Sequence, residues 1–276
     1  MFALLRSVVA ALALLAASPA WGSDPSPWST AHGAAIRLLP GVQGEGGAWR
    51  AGIEIRLDSG WKTYWRTPGD SGLPPVFDWS RSANVADVAV LWPAPERFAD
   101  GAGESVGYVG DVVLPLKVVP RDARKPVELS LSIQYGACKD ICVPATGEAT
   151  LALDASSPPP RSILHVLAEA ERSVPRPQKI GAEGPLSVLA VVPDLAAKPP
   201  GLAVDVRADA DAILLVEGNA DWYLPQPRPK GGAAGGSRRF TLALEGLPKG
   251  AELAGAELRL TLVGAAGAVE TTYTLP

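Results

Sequence analysis

The residues of this sequence best suited to chemistry are Cys138 and Cys142, its two cysteines, separated by three residues. The surrounding segment reads Gln134-Tyr135-Gly136-Ala137-Cys138-Lys139-Asp140-Ile141-Cys142-Val143-Pro144-Ala145. Four fully extended steps would span roughly 13–14 Å, whereas a disulfide wants its two Cα atoms about 5.5–6 Å apart. Pairing therefore requires the chain to fold back, and Gly136 and Pro144 are residues suited to a turn. Three chemistries are open to such a pair. As a structural staple it would close a short loop, contributing about 2 kcal/mol in the chain-entropy model against nearly 5 for a loop of ~100 residues. A bond placed for stability would better join distant strands, so the tight spacing favours a bond that is opened and closed. Lys139 would favour a thiolate and Asp140 would oppose it. The spacing is not that of a Cys-X-X-Cys pair opening a helix, which suits this pair to the part of acceptor or relay more than to that of attacking oxidant.

The third chemistry is soft-metal binding. Two thiolates could hold Cu(I), but a closed zinc site needs two further ligands. The histidines, His32 and His165, lie far from the pair in sequence, and the sole methionine is Met1. No metal site and no cofactor is expected. Hydrolytic chemistry has no support, because no Gly-X-Ser-X-Gly elbow is present. The Gly231–Gly236 stretch lacks the Gly-Lys-Ser/Thr ending of a phosphate loop, and reads instead as a long hairpin loop.

The elements that must position the cysteines read as strands. Val127–Tyr135 alternates apolar and polar residues without a break, as a strand with one face on a core does. Ala149–Leu153 reads as its return, placing both thiols in one strand-to-strand loop. Gly52–Leu57 alternates in the same way. Val112–Val118 is a more buried run in which Pro115 suggests an edge or a bulge. Ser157-Pro158-Pro159-Pro160 breaks the rhythm, and Arg161–Ser173 then carries Ile163, Leu164, Val166, Leu167 and Ala170 at helical spacing, closed by Pro175 and Pro177. Strand patterns resume at Leu186–Val192, Leu202–Val206, Ala212–Val216, Arg239–Leu244, Glu257–Val263 and Val269–Leu275. The expected class is all-β: two β-sandwich domains joined by a short helical linker.

The first residues fit a secretory signal, with Arg6 before an apolar run from Ser7 to Ala17 and small residues around Ala20. The expected division is a signal peptide over 1–22, a cysteine-bearing sandwich over 23–155, a linker over 156–183 and a second sandwich over 184–276. The count of two cysteines suits an oxidising compartment outside the cytoplasm. A net charge of −4 supplies no basic footprint for nucleic acid or a membrane surface. No segment after the signal reaches the ~18 apolar residues of a spanning helix, so no membrane insertion is expected once the signal is cleaved.

These residues resemble a known family. The cysteine loop Tyr135–Ala145 is similar to that of the N-terminal periplasmic (alpha) domain of DsbD, the thiol:disulfide interchange protein. Ser59–Pro75, with its run Trp61-Lys62-Thr63-Tyr64-Trp65-Arg66-Thr67-Pro68-Gly69, resembles the N-terminal region of ScsB-type relatives associated with copper tolerance. Leu91-Trp92-Pro93-Ala94-Pro95-Glu96-Arg97-Phe98 and Gly107-Tyr108 extend the likeness, which covers Trp28 to Leu153 well and the second half more weakly. The resemblance implies immunoglobulin-like sandwiches and a periplasmic relay of reducing equivalents. It implies that Cys142 forms mixed disulfides with partners and that Cys138 resolves them. It also implies a shielding cap drawn from Glu96–Tyr108, with Phe98, Tyr64 and Tyr108 beside the pair. The 276 residues contain neither a membrane domain nor a thioredoxin-like domain. The expected electron donor is therefore a separate thioredoxin-like reductase domain or a DsbD/ScsB-type membrane protein, and the acceptors are oxidised periplasmic proteins. Two other readings remain open: a Cu(I)-binding copper-tolerance module, and a structural protein with a non-redox disulfide.

Overall fold

The structure, a computed structural model, describes residues 24–69, 72–100, 103–234 and 237–276. The expected signal peptide, residues 1–22, lies outside the described residues. Eleven strands precede the helix: β1 (Ser29–Ala31), β2 (Ala34–Gln43), β3 (Trp49–Leu57), β4 (Lys62–Gly69), β5 (Val76–Asp78), β6 (Val85–Val90), β7 (Glu96–Asp100), β8 (Gly103–Val109), β9 (Val112–Pro120), β10 (Val127–Cys138) and β11 (Cys142–Leu153). They form one sheet in the order β1-β2-β3-β9-β6 and another in the order β11-β10-β4-β8-β7, with β5 also paired to β10. The alternation read from β10 is real: Val127, Leu129, Leu131, Ile133, Tyr135 and Ala137 are buried in the core between the two sheets, against Ile36, Ile53 and Leu114 of the other sheet.

Helix α1 (Arg161–Arg172) follows, where the spacing of apolar residues predicts it. It lies on the outer face of the first sheet. Leu167 is fully buried there, and a Cβ at Gly52 would stand 2.7 Å from Leu167 Cδ2. Arg50 of β3 forms a two-pronged ion pair with Glu171, with Nε 2.6 Å from Oε1. The helix explains why β2 shows no alternation in sequence. Ile36 and Leu38 face the core while Ala35 and Leu39 are buried on the opposite side, so both faces of β2 are apolar.

Eight further strands complete the chain: β12 (Arg176–Pro177), β13 (Ser187–Asp194), β14 (Gly201–Arg207), β15 (Ile213–Glu217), β16 (Arg228–Ala234), β17 (Ser237–Ala243), β18 (Glu257–Gly264) and β19 (Gly267–Thr274). They form sheets ordered β12-β19-β18-β15 and β13-β14-β17-β16 around a second core that includes Val204, Leu214, Phe240 and Leu260. The glycine stretch read as a long loop belongs largely to β16, which pairs with β17. Pro229 and the glycines hide that strand from propensity; Arg228, Pro229, Lys230 and Ala234 pair with β17, and the register shifts between Lys230 and Ala234.

Strand β15 joins the two halves. Leu214 and Val216 enter the second core, while Ile213 and Leu215 pack against the first. Beside it, Arg66 of β4 donates to Glu217 through Nε (2.8 Å) and Nη2 (2.7 Å), and Nη2 lies 2.6 Å from Glu270. Thr67 Oγ1 donates to Glu217 at 2.7 Å.

Pro115 does not mark an edge strand. β9 is paired on both sides, with Gly52 opposite Pro115. Its carbonyl accepts from Leu91 just past the end of β6, so the missing N–H falls where the neighbouring strand has ended.

Candidate functional site: the hairpin disulfide

Cys138 is the last residue of β10 and Cys142 the first of β11, and the two are register partners joined as a disulfide with Cα atoms 4.1 Å apart. The thiols therefore close a hairpin whose three-residue turn is Lys139-Asp140-Ile141. Gly136 and Pro144, expected in the turn, lie within the strands opposite each other. Two features account for this. β10 pairs at its end with β4 as well as β11 (Ala137 with Thr63, Cys138 with Lys62), and Thr63 Oγ1 donates to the Gly136 carbonyl at 2.9 Å. Pro144 is tolerated because β11 is an edge strand with one side free of ladder bonds.

The two sulfurs differ in access. Cys138 is 2% exposed, whereas Cys142 is exposed. Ile141, 77% exposed, stands beside it at the hairpin tip. Lys139 and Asp140 are exposed as well.

Tyr64 of β4 lies under the pair. Its hydroxyl is 2.8 Å from both Cys138 Sγ and Cys142 Sγ. Neither sulfur of a disulfide carries a proton, so the hydroxyl is the donor. The ring is 1% exposed and is held by glycines. A Cβ at Gly136 would stand 2.7 Å from Tyr64 Cδ2 and one at Gly72 2.7 Å from Tyr64 Cε1. Sequence reasoning took Gly136 for a turn residue and passed over Gly72. Only contacts between distant segments reveal the space they leave.

Phe98 of β7 stands beside Tyr64, with ring centroids 6.3 Å apart. Lys62 Nζ sits 4.7 Å from the Phe98 centroid and 3.4 Å from the Ala99 carbonyl. Lys62 thus places a cation against the Phe98 ring, a contact that its sequence position did not signal. Tyr108 does not join this group. Opposite Thr63 on β8, it points into the core and donates to the Pro93 carbonyl at 2.9 Å. Burial pushes its phenol pKa well above the ordinary value. The structure thus gathers Cys138, Cys142, Tyr64 and Phe98 on one face, with Tyr108 behind them. His32 and His165 lie elsewhere; His165 is on α1 beside Glu169.

The site is thus a disulfide closing a β-hairpin, with one sulfur open to solvent, the other covered, and a tyrosine hydroxyl bridging both. Residues 37–154 match the family model described as thiol:disulfide interchange protein DsbD, N-terminal. No curated protein matches the chain. Among solved structures, the N-terminal periplasmic domain of ScsB from Proteus mirabilis superposes with a TM-score of 0.70 at 21% identity, covering 91% of this chain and 98% of that one. The expected resemblance and the all-β, immunoglobulin-like fold are borne out. The family match and the site together support a thiol–disulfide exchange module. Among the described residues, no helix is long and apolar enough to cross a membrane.

Proposed function

We propose that this protein is a periplasmic disulfide-exchange protein that relays reducing equivalents through Cys138 and Cys142. A thioredoxin-like partner, or a DsbD/ScsB-type membrane protein, supplies the electrons. Its thiolate attacks Cys142 Sγ, the Cys138–Cys142 bond breaks, and Cys138 departs as a thiolate. The partner's second thiol then attacks the mixed disulfide, so that the partner is oxidised and Cys142 is freed. In the onward step the Cys142 thiolate attacks a disulfide of an oxidised periplasmic protein. Cys138, deprotonated, resolves that mixed disulfide, which re-forms the Cys138–Cys142 bond and leaves the substrate as a dithiol.

The observation that carries this reading is the difference in access: Cys142 is exposed and Cys138 is 2% exposed. Attack on a disulfide requires access to the sulfur that is struck, and of the two cysteines Cys142 is the exposed one. Tyr64 supports the same roles, because a hydroxyl 2.8 Å from both sulfurs can donate to whichever carries negative charge after cleavage. Phe98 and Lys62, packed beside Tyr64 on the side of β7, would limit reoxidation of the reduced pair by other disulfides.

The test is trapping. Cys138→Ser protein, reduced and mixed with oxidised periplasmic proteins, is expected to accumulate covalent complexes through Cys142, and Cys142→Ser protein is expected to accumulate none. The opposite pattern would reverse the roles. A potential below about −300 mV with slow exchange would make the bond a staple.

A further inference from the structure

The disulfide lies wholly within the first sandwich, yet the segments that carry Tyr64 and its neighbour Phe98 are fastened from the second. Phe98 sits on the β7–β8 hairpin, opposite Ser105. Its neighbour Arg97 reaches the other way, and Nη2 donates to the Leu214 carbonyl at 2.9 Å and the Pro227 carbonyl at 3.3 Å. Glu104, opposite Ala99 in the same hairpin, lies 2.8 Å from Arg228 Nη1. At the end of β4, the strand that carries Tyr64, the Tyr223 hydroxyl donates to the Gly69 carbonyl at 2.6 Å. Tyr223 is itself held by its N–H to the Gly246 carbonyl at 3.0 Å. Gly69 has φ +88°, and a Cβ there would meet the Glu104 carbonyl at 2.7 Å. The end of β4 and the hairpin therefore touch at the point where the second sandwich grips both.

We infer that the second sandwich is a positioning element of the redox site, with Arg97 and Tyr223 anchoring the two segments that hold Phe98 and Tyr64 against the disulfide. Neither residue touches a sulfur. Alternation along β7 turns Arg97 toward the second sandwich and Phe98 toward the site, so a bond made on one face fixes the side chain on the other. The second sandwich thereby sets how often the cover opens. The inference rests on the proposed exchange function only in treating the Cys138–Cys142 bond as one that reacts.

The test uses the full chain, oxidised, with Arg97→Met and Tyr223→Phe, and Arg239→Met as a control. Arg239 pairs with Asp205 within the second sandwich. Two quantities are read: amide hydrogen exchange across residues 96–99 and 104–109, and the rate at which dithiothreitol reduces the disulfide. The loss of the Tyr223 hydroxyl's bond, and of the several made by Arg97, is expected to raise both by about 3- to 10-fold or more, with no change in the control. Unchanged hairpin exchange and an unchanged reduction rate in both variants would overturn the inference. Should Arg97→Met fail to fold, Tyr223→Phe alone decides, because it removes one hydroxyl from a residue 56% exposed. Because dithiothreitol needs no biological partner, a faster reduction rate supports the inference even if trapping with periplasmic proteins fails, and that failure would count against the proposed function alone.

Discussion

Gly136 and Tyr64 are matched as backbone to ring: the Tyr64 ring occupies the space that a Gly136 side chain would fill, with Cδ2 2.7 Å from the position of a Cβ. Leu73 closes the other side, donating nothing but accepting the Gly136 N–H through its carbonyl at 3.2 Å. Gly136→Ala must push the ring off the sulfurs or bend β10. It is expected to lower stability by about 1–3 kcal/mol, the usual cost of overpacking, and to speed reduction of the disulfide by small thiols. Urea unfolding and dithiothreitol kinetics measure the two effects. An alanine variant with parental stability and kinetics would show that the ring has free space.

Tyr64→Phe separates the hydroxyl from the ring. Once the disulfide is reduced, the hydroxyl is the donor nearest both sulfurs, and a hydrogen bond to a charged group contributes about 1.5–3 kcal/mol. Its loss is expected to raise the pKa of the reactive thiol by roughly one to two units and to slow exchange near neutral pH accordingly. Ultraviolet titration of the thiolate in reduced protein checks this. A thiol pKa unmoved by the substitution would place the stabilising donor elsewhere.

Tyr135 tests burial without a partner. Its side chain is 2% exposed, its hydroxyl makes no hydrogen bond, and burial raises its pKa to about 12. The folded pKa lies above the unfolded value near 10, so the unfolded chain loses its proton first. Stability is therefore whole below pH 10 and falls as the pH climbs from 10 toward 12. Tyr135→Phe is expected to be neutral or stabilising by up to about 1 kcal/mol at pH 7 and to lose less stability in that alkaline window. Urea midpoints at pH 7, 10 and 11 decide it; a phenylalanine variant with the same alkaline loss would assign that loss to other groups, Tyr108 among them.

Leu167 and Gly52 form a coupled pair between α1 and β3. Leu167→Ala is expected to cost about 2–5 kcal/mol, as deletion of a fully buried leucine does. Gly52→Ala should also destabilise, since its Cβ would meet Leu167. Combined, the two should lose less than their sum, because Leu167→Ala removes the side chain that the Gly52→Ala methyl would meet. A double-mutant cycle by chemical denaturation measures the coupling, and strict additivity would mean the helix does not dock through this contact.

Arg66 joins the sandwiches through Glu217 and Glu270, with side chains 16%, 14% and 28% exposed. Arg66→Met leaves two acidic groups facing each other with their shared cation gone. The expected loss is about 3–5 kcal/mol, as for breaking a mostly buried pair. Part of it should be recovered by Arg66→Met with Glu217→Gln. Thermal unfolding of the single and double variants gives the answer, and a single variant as stable as the parent would make the bridge neutral.

Much of the site was legible before the fold. Pairing of Cys138 with Cys142 required a chain reversal between them, the alternation of Val127–Tyr135 identified the strand leading to it, and the helical spacing of apolar residues at Arg161–Ser173 identified the helix. These are local properties: they depend on which side chains one short segment places on each of its faces. The strand ends were not legible. β10 runs three residues beyond the alternating stretch because β4 and β11 supply the bonds that Gly136 and Ala137 do not signal by propensity.

The sequence by itself determined the chemistry, a pair of thiols four positions apart, and most of the strands that carry them. Only the tertiary structure decided which sulfur is open, because the exposure of Cys142 and the burial of Cys138 depend on what lies across the sheet rather than on their neighbours in the chain. It alone brought Tyr64 under both sulfurs, turned Gly72 and Gly136 into a seat for its ring, and set Arg97 and Tyr223 between the two sandwiches. Each of these rests on register between segments tens of residues apart or more. A shift of one residue in that register would turn every side chain of a strand to the opposite face, and no short window of sequence contains it.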